Sequence, residues 1–242
     1  MTDWISLLVP FALIAALYAA VGHGGASGYL AVMALAGVAP AVMKPTALAL
    51  NLVVSLLGAV WFFRAGHFAW RLFWPFAAVS VPFAFLGGRL DVPPGVFRGL
   101  VAAALVFAAL RLLLPALATT ELRRPPVAFV VLAGAAIGLL SGLIGVGGGI
   151  FLTPLLLLLR WAEPKTAAAV SAPFIFVNSA AGLAGHVASL RNLPAAWPWL
   201  ALAAVAGGMI GARWGSRVAP AVRLRPALAL VLTLAAVKLV IV

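Results

Sequence analysis

The sequence has no cysteine, only four acidic residues, and charged residues at just 8% of its 242 positions. Without cysteine there is no disulfide framework, no thiolate nucleophile and no cysteine-based metal site. The four carboxylates, Asp3, Asp91, Glu121 and Glu163, all fall at the edges of apolar runs or between them. No acidic side chain is therefore available within a run for a proton relay or a clustered cation site, which argues against metal-cation or Na⁺ transport through carboxylates. A soluble domain carries about 25% charged residues. This chain has too little polar surface to cover a water-facing globule, which excludes an ordinary soluble enzyme and a disordered tail alike.

What fills the sequence is apolar: 66% of residues are hydrophobic. A membrane helix needs about 20 such residues, so the length has room for about eight to ten spans and almost no extramembrane domain. Membrane lipid is the expected surrounding. The charge that remains is strongly basic, with 16 Lys and Arg and a net charge of +12. These cations stand singly or in pairs between apolar runs. Such spacing fits orientation by the positive-inside rule and not a nucleic-acid surface. The start, Met1-Thr2-Asp3-Trp4, lacks the basic region of a cleaved signal peptide, so the first run is expected to be a retained span.

The runs fall near 4–21, 28–39, 46–63, 70–88, 96–117, 127–144, 150–161, 166–188, 195–212 and 221–242. All are expected to be helices, because an open strand in lipid leaves backbone groups unpaired. Eight are long enough to cross; the second and seventh are short, and each follows a glycine cluster. A shift of 124 residues places Pro40 on Pro164, Gly58 on Gly182, Gly87 on Gly211 and Arg89 on Arg213. A shift of 123 places Gly22, Gly24 and Gly25 on Gly145, Gly147 and Gly148. This pattern predicts one all-α polytopic membrane domain of two repeats, 1–117 and 127–242, joined by a linker at 118–126. It has about eight full spans and two short helices after glycine-rich turns. The doubled proline at 125–126 ends one helix and starts the next.

If each half changes sides an odd number of times, one side holds Arg64, Arg71, Arg111, Arg123, Arg124, Arg160, Lys165, Arg213, Arg217, Arg223 and Arg225. The other holds only Lys44, Arg89, Arg98, Arg191 and Lys238. That asymmetry predicts inverted halves in the inner membrane, with the larger group cytoplasmic and the amino terminus outside. Ten shortened spans, or six spans with two re-entrant helix pairs, give the same sidedness.

The strongest local signal is Gly145-Val146-Gly147-Gly148-Gly149 and its counterpart Gly22-His23-Gly24-Gly25-Ala26. Each closes a long apolar helix and opens a short one. Glycine takes positive φ without strain, so successive N–H groups can form an anion nest at a helix N-terminus. Paired broken helices from inverted halves are a known way to build a transporter site. Close helix packing is the plainer role for such glycines, and it is the one expected for Gly134, Gly138 and Gly142 and for Gly207, Gly211 and Gly215.

A duplicated half with a G-x-G-G-G turn, a short helix and a Pro- and Lys-flanked helix resembles the sulfite exporter TauE/SafE family of bacterial membrane permeases. The Gly58 and Gly182 helices and the turns at 87–89 and 211–213 extend the resemblance over almost the whole chain. The second half fits better; in the first, His23 replaces a small apolar residue and Ala26 the last glycine. The resemblance implies export of sulfite, a sulfonate or a related small anion, coupled to an ion gradient. No cofactor is expected.

Several further residues are candidates for that site. Lys44 and Lys165 each follow a short helix and could neutralise an anion at a gate, or could snorkel to an interface. Asn51 and Asn178, like Ser171 and Ser179, lie inside apolar helices, where a polar group needs a neighbour or a substrate as partner. His23, within the first turn, could carry a coupled proton or cap an exposed helix end. His67 and His186 lie near segment ends. One enzyme alternative exists: Gly25-Ala26-Ser27-Gly28 matches the G-x-S-G motif of rhomboid proteases. The second repeat has no serine there, so a permease is the expectation and an enzyme is not.

Overall fold

The computed structural model describes residues 3–113, 122–217 and 225–241. Within them the regular elements are helical: α1 (Leu8–Ala19), α2 (Ala26–Leu35), α3 (Pro40–Arg64), α4 (Trp70–Arg89), α5 (Pro94–Leu113), α6 (Val127–Ile144), α7 (Gly149–Leu158), α8 (Pro164–Gly185), α9 (Trp197–Arg217) and α10 (Arg225–Ile241). A 3₁₀ segment, Val187–Asn192, joins α8 to α9. Prolines open α3 and α8 at their first position, where a missing N–H costs no hydrogen bond. The first part of the expected linker, through Glu121, and the cation Arg223 lie outside the described residues.

Among the described residues five helices, against the eight expected, are long and apolar enough to cross a membrane: α3, α4, α5, α6 and α8. The difference has local causes. α1 has only 12 helical residues, because its run ends at the first glycine turn. α9 carries four glycines and both Arg213 and Arg217, which lower its apolar character. The outer surface is nonetheless apolar, with Ile5, Val127, Leu132 and Val240 largely exposed, as lipid contact requires.

Residue pairings fix how the helices run. Gly134, Gly138 and Gly142 of α6 lie against the carbonyls of Phe76, Ser80 and Ala84 of α4 in ascending order, so these helices are parallel. Gly207, Gly211 and Gly215 of α9 meet the carbonyls of Ala12, Ala16 and Ala20 of α1 in the same way. Both glycine stripes thus do what their spacing predicts, admitting a neighbouring backbone that a Cβ would overlap at every position but Gly134. α3 and α8 cross antiparallel: Gly58 faces Ala172, Asn51 faces Ser179, and Leu48 faces Gly182. α4 runs with α8, since Phe76 packs near Trp161 and Gly88 against Gly182. α9 runs with α3, since Asn192 bonds Ala41 and Arg213 lies over Trp61. Helices α1, α3 and α9 therefore point one way, and α4, α6 and α8 the other.

The bundle has two ends. At one, Lys44 donates to the Gly88 carbonyl and Lys238 to the Leu35 carbonyl. At the other, Arg213 and Arg217 stack on Trp61, and the Arg123 N–H donates to the Arg160 carbonyl. The helix pair α1–α2 enters from the Lys44 end and returns to it. The pair α6–α7 enters from the Arg64 end and returns there. Each reverses at its glycine turn.

Candidate functional site

The site begins with the two reversals. After α1, the His23 N–H closes on the Tyr18 carbonyl at 2.9 Å, and Gly25, with φ of 95°, caps α2. After α6, the Gly145 N–H closes on the Ser141 carbonyl at 2.9 Å, and Gly148, with φ of 80°, caps α7. Left-handed backbone at a cap is where glycine is least strained. The two short helices therefore start inside the protein, with their N-terminal N–H groups directed inward.

They start beside one side chain. Asn51 of α3 is fully buried; its Oδ1 accepts the Ala26 N–H of α2 at 3.0 Å. Its Nδ2 donates to Ser179 Oγ of α8 at 3.4 Å. Gly24 and Gly147 lie against it from the two turns, and a Cβ on Gly147 would stand 2.6 Å from Nδ2. Ile175, at the position equivalent to Asn51 in the 124-residue register, also faces both glycines. The site is thus the α3–α8 crossing with one glycine turn on each side.

His23 ties the turns together. Its Nδ1 lies 3.1 Å from the Val21 carbonyl and its Nε2 3.2 Å from the Gly149 carbonyl, 126 residues further along the chain. Carbonyl oxygens only accept, and a neutral imidazole has a single N–H to donate. Only the imidazolium donates to both. Next to it, two helix N-termini contribute positive partial charge, the macrodipole term that favours an anion. The groups assembled here are inward-directed backbone N–H groups, an amide and an imidazole, donors of the kind an oxyanion accepts. Among the described residues no three His, Asp or Glu side chains converge as a metal site would need.

The other candidates fall around this centre. Gly22 packs against Ala168 and Gly145 against Lys44, positions equivalent in the same register. Gly149 is the first residue of α7. The Lys44 chain is buried, but its Nζ is 3.3 Å from the Gly88 carbonyl. That carbonyl also receives His186 Nδ1 at 3.1 Å, which lies 3.5 Å from Asp91. Lys44 thus borders the second turn while capping the end of α4. Lys165 is exposed at the first turn of α8 and is not brought to the crossing. Asn178 is buried, with Nδ2 donating to the Phe174 carbonyl at 2.8 Å and Oδ1 without a partner. The Phe174 ring in turn packs on Gly148. Asn178 is therefore held by its own helix, one turn after Phe174.

Ser27 does not have the surroundings of a nucleophile. Its Oγ donates to Tyr18 Oη at 2.9 Å, while His186 is held by Gly88 and Asp91 and His67 lies in the α3–α4 turn. Ser179 stood among the polar candidates inside apolar helices, whereas Ile175 is the residue at the crossing that chemistry alone did not select. The 124-residue register was the available signal for it, since it pairs Asn51 with Ile175.

Comparison with known proteins gives one consistent answer. The sequence model of the family described as "Sulfite exporter TauE/SafE" matches residues 7–239. The chain is 42% identical over 243 residues to the probable membrane transporter protein y4hK of Sinorhizobium fredii (strain NBRC 101917 / NGR234), covering 98% of each. It is 37% identical over 83 residues to the probable membrane transporter protein YunE of Bacillus subtilis (strain 168), covering 34% of this chain and 29% of that one. No solved structure matches the chain.

Proposed function

Because the chain belongs to the sulfite exporter TauE/SafE family, we propose that this multi-pass membrane transporter exports a small anion, such as sulfite or a sulfonate. The observation that carries the proposal is the meeting of two glycine-capped helix N-termini at Asn51. Ala26 N–H already holds a neutral oxygen there, and a substrate oxyanion is a stronger acceptor for the same donors. Alternating access then follows from movement of one half against the other around that point. The opposed courses of α1 and α6, α3 and α8, and α4 and α9 support reading the halves as an inverted repeat. On this reading α1–α2 and α6–α7 are re-entrant pairs, and Lys44 sits where it can meet the anion at one gate. Counterflow in proteoliposomes against sulfite, sulfoacetate, sulfolactate, taurine and chloride tests the substrate class. Exchange of at least one sulfur oxyanion is expected; exchange of none of them, with another metabolite carried instead, sinks the assignment.

The charge partition supports an inner-membrane location with the Lys44 end and the amino terminus outside. The cysteine-free chain makes this readable. A cysteine at Pro93 should label from the outside and one at Leu122 should not; the reverse pattern rejects the orientation.

Coupling is proposed to use a proton on His23, because its ring bridges the two turns, between the Val21 and Gly149 carbonyls. His23→Ala should then flatten the pH dependence of transport while leaving anion binding within a few-fold of the parent. An unaltered pH profile returns His23 to a purely structural bridge.

A further inference from the structure

A second cationic feature lies away from the glycine turns, at the Lys44 end of the bundle. The junction of α2 and α3 there forms a pocket of about 170 Å³ with the start of α5 and the end of α10. Its wall is apolar at Ala34, Val38, Met43 and Leu239, and its polar groups are Arg98 and Lys238, with no carboxylate among them. Lys238 Nζ spends one donor on the Leu35 carbonyl at 2.6 Å and has two left. Arg98 is half-buried and makes no hydrogen bond or ion pair among the described residues. The nearest described acid along the chain, Asp91, is engaged with His186.

A half-buried guanidinium with all its donors unmatched is a costly arrangement unless an anion completes it. The fork geometry of Arg and the point charge of Lys together suit a tetrahedral oxyanion such as a phosphate. What carries that oxyanion is indicated by the flanks. Val96 of α5 and Val237 and Val240 of α10 are exposed beside the two cations. They continue into the exposed apolar faces formed by Val106, Leu110 and Leu234. A ligand with an anionic head and long apolar tails matches both surfaces at once. The feature is also not part of the repeat: the 124-residue register puts Val222 opposite Arg98 and Leu114 opposite Lys238. It therefore does not belong to the duplicated transport scaffold.

We propose that Arg98 and Lys238 form a headgroup site for an anionic phospholipid, seated between α2, α5 and α10 with its acyl chains along the outer helices. This differs from general solvation by lipid in having one place, two named cations and a charge requirement. It does not depend on which anion the protein carries.

The test uses the full chain in neutral detergent, with native mass spectrometry and thermal melting on the same samples. The probes are phosphatidylglycerol, phosphatidylcholine and inorganic phosphate. Phosphatidylglycerol should be retained as a discrete adduct and raise the melting temperature, and the other two should do neither. Arg98→Gln should weaken that adduct about tenfold, the scale of one charge-assisted hydrogen-bonding group. Its unliganded melting temperature should stay near the parent's, because Arg98 has no partner to lose. Arg98→Lys should fall between them. Equal retention by parent and Arg98→Gln overturns the site. So does equal retention of phosphatidylcholine. Binding of inorganic phosphate as tight as that of the lipid assigns the pocket to a soluble anion and overturns the lipid assignment.

Discussion

Asn51→Asp should yield a folded, stable protein that no longer transports its anion. The substitution changes almost no volume, and one carboxylate oxygen keeps the acceptor role that Oδ1 has toward Ala26 N–H at 3.0 Å. Ser179 Oγ, now 3.4 Å from Nδ2, can turn to donate to the other. The new negative charge sits where two helix N-termini favour one, so melting should be unchanged or raised. For the substrate the effect is opposite. Two like charges about 4 Å apart repel by about 4 kcal/mol at an effective dielectric of 20, which is about a thousandfold in affinity. Asn51→Asp is in effect a permanently occupied site. A stable variant with parental transport would place the anion elsewhere.

Gly147→Ala should also abolish transport, by a different route. Gly147 has φ of 73°, a conformation that costs an L side chain about 1–2 kcal/mol. Its Cβ would stand 2.6 Å from Asn51 Nδ2, 2.7 Å from Ser179 Oγ and 2.8 Å from Ile175 Cγ2. The turn and the amide cannot both stay in place. Anion affinity should therefore fall at least about tenfold, because the loss of a single aligned charge-assisted bond is already of that order. Gly138→Ala is the control. Its Cβ would press on the Ser80 backbone carbonyl within the α4–α6 contact, away from the crossing. It should cost about 1–3 kcal/mol of stability and leave the affinity of the folded fraction unchanged. Melting temperature and anion affinity, measured on the same samples, separate the two patterns. Equal loss of stability with no loss of affinity in both variants would make the glycine turns scaffold and would place the anion away from Asn51.

The parts of this arrangement that are local were legible in the chain. Each glycine turn is a contiguous signal, and its effect, a left-handed cap before a short helix, follows from backbone sterics at Gly25 and Gly148. The 124-residue register was equally informative, since it pairs Lys44 with Ala168 and Asn51 with Ile175, and those residues flank the two turns symmetrically. The packing glycines declared themselves through their four-residue spacing.

What was not legible depends on direction and on partners. The reversal of α2 and α7 leaves every cation at the same end as a model of ten short spans would, so charge counting could not detect the hairpins. Lys44 and Lys165 look alike in sequence. One is buried because α4 ends beside it and offers the Gly88 carbonyl, whereas the other faces outward at the start of α8. Asn51 and Asn178 were likewise indistinguishable as lone amides in apolar helices. Only the antiparallel crossing of α3 and α8 puts Asn51 between the turns and leaves Asn178 bonded to its own helix. Ile175 carries no polar signal at all; it joins the candidate site by position alone.

The most direct test of an anion held between the two turns is substrate protection of a thiol placed there. The native chain has no cysteine, so Ser179→Cys introduces a single reporter beside Asn51, and Val187→Cys provides an exposed one outside the site. A thiol reagent is applied to each with and without a saturating sulfonate that the protein exchanges. The sulfonate should slow modification at position 179 several-fold and leave position 187 unaffected. Modification at position 179 that proceeds equally fast with the sulfonate bound would place the anion outside the crossing.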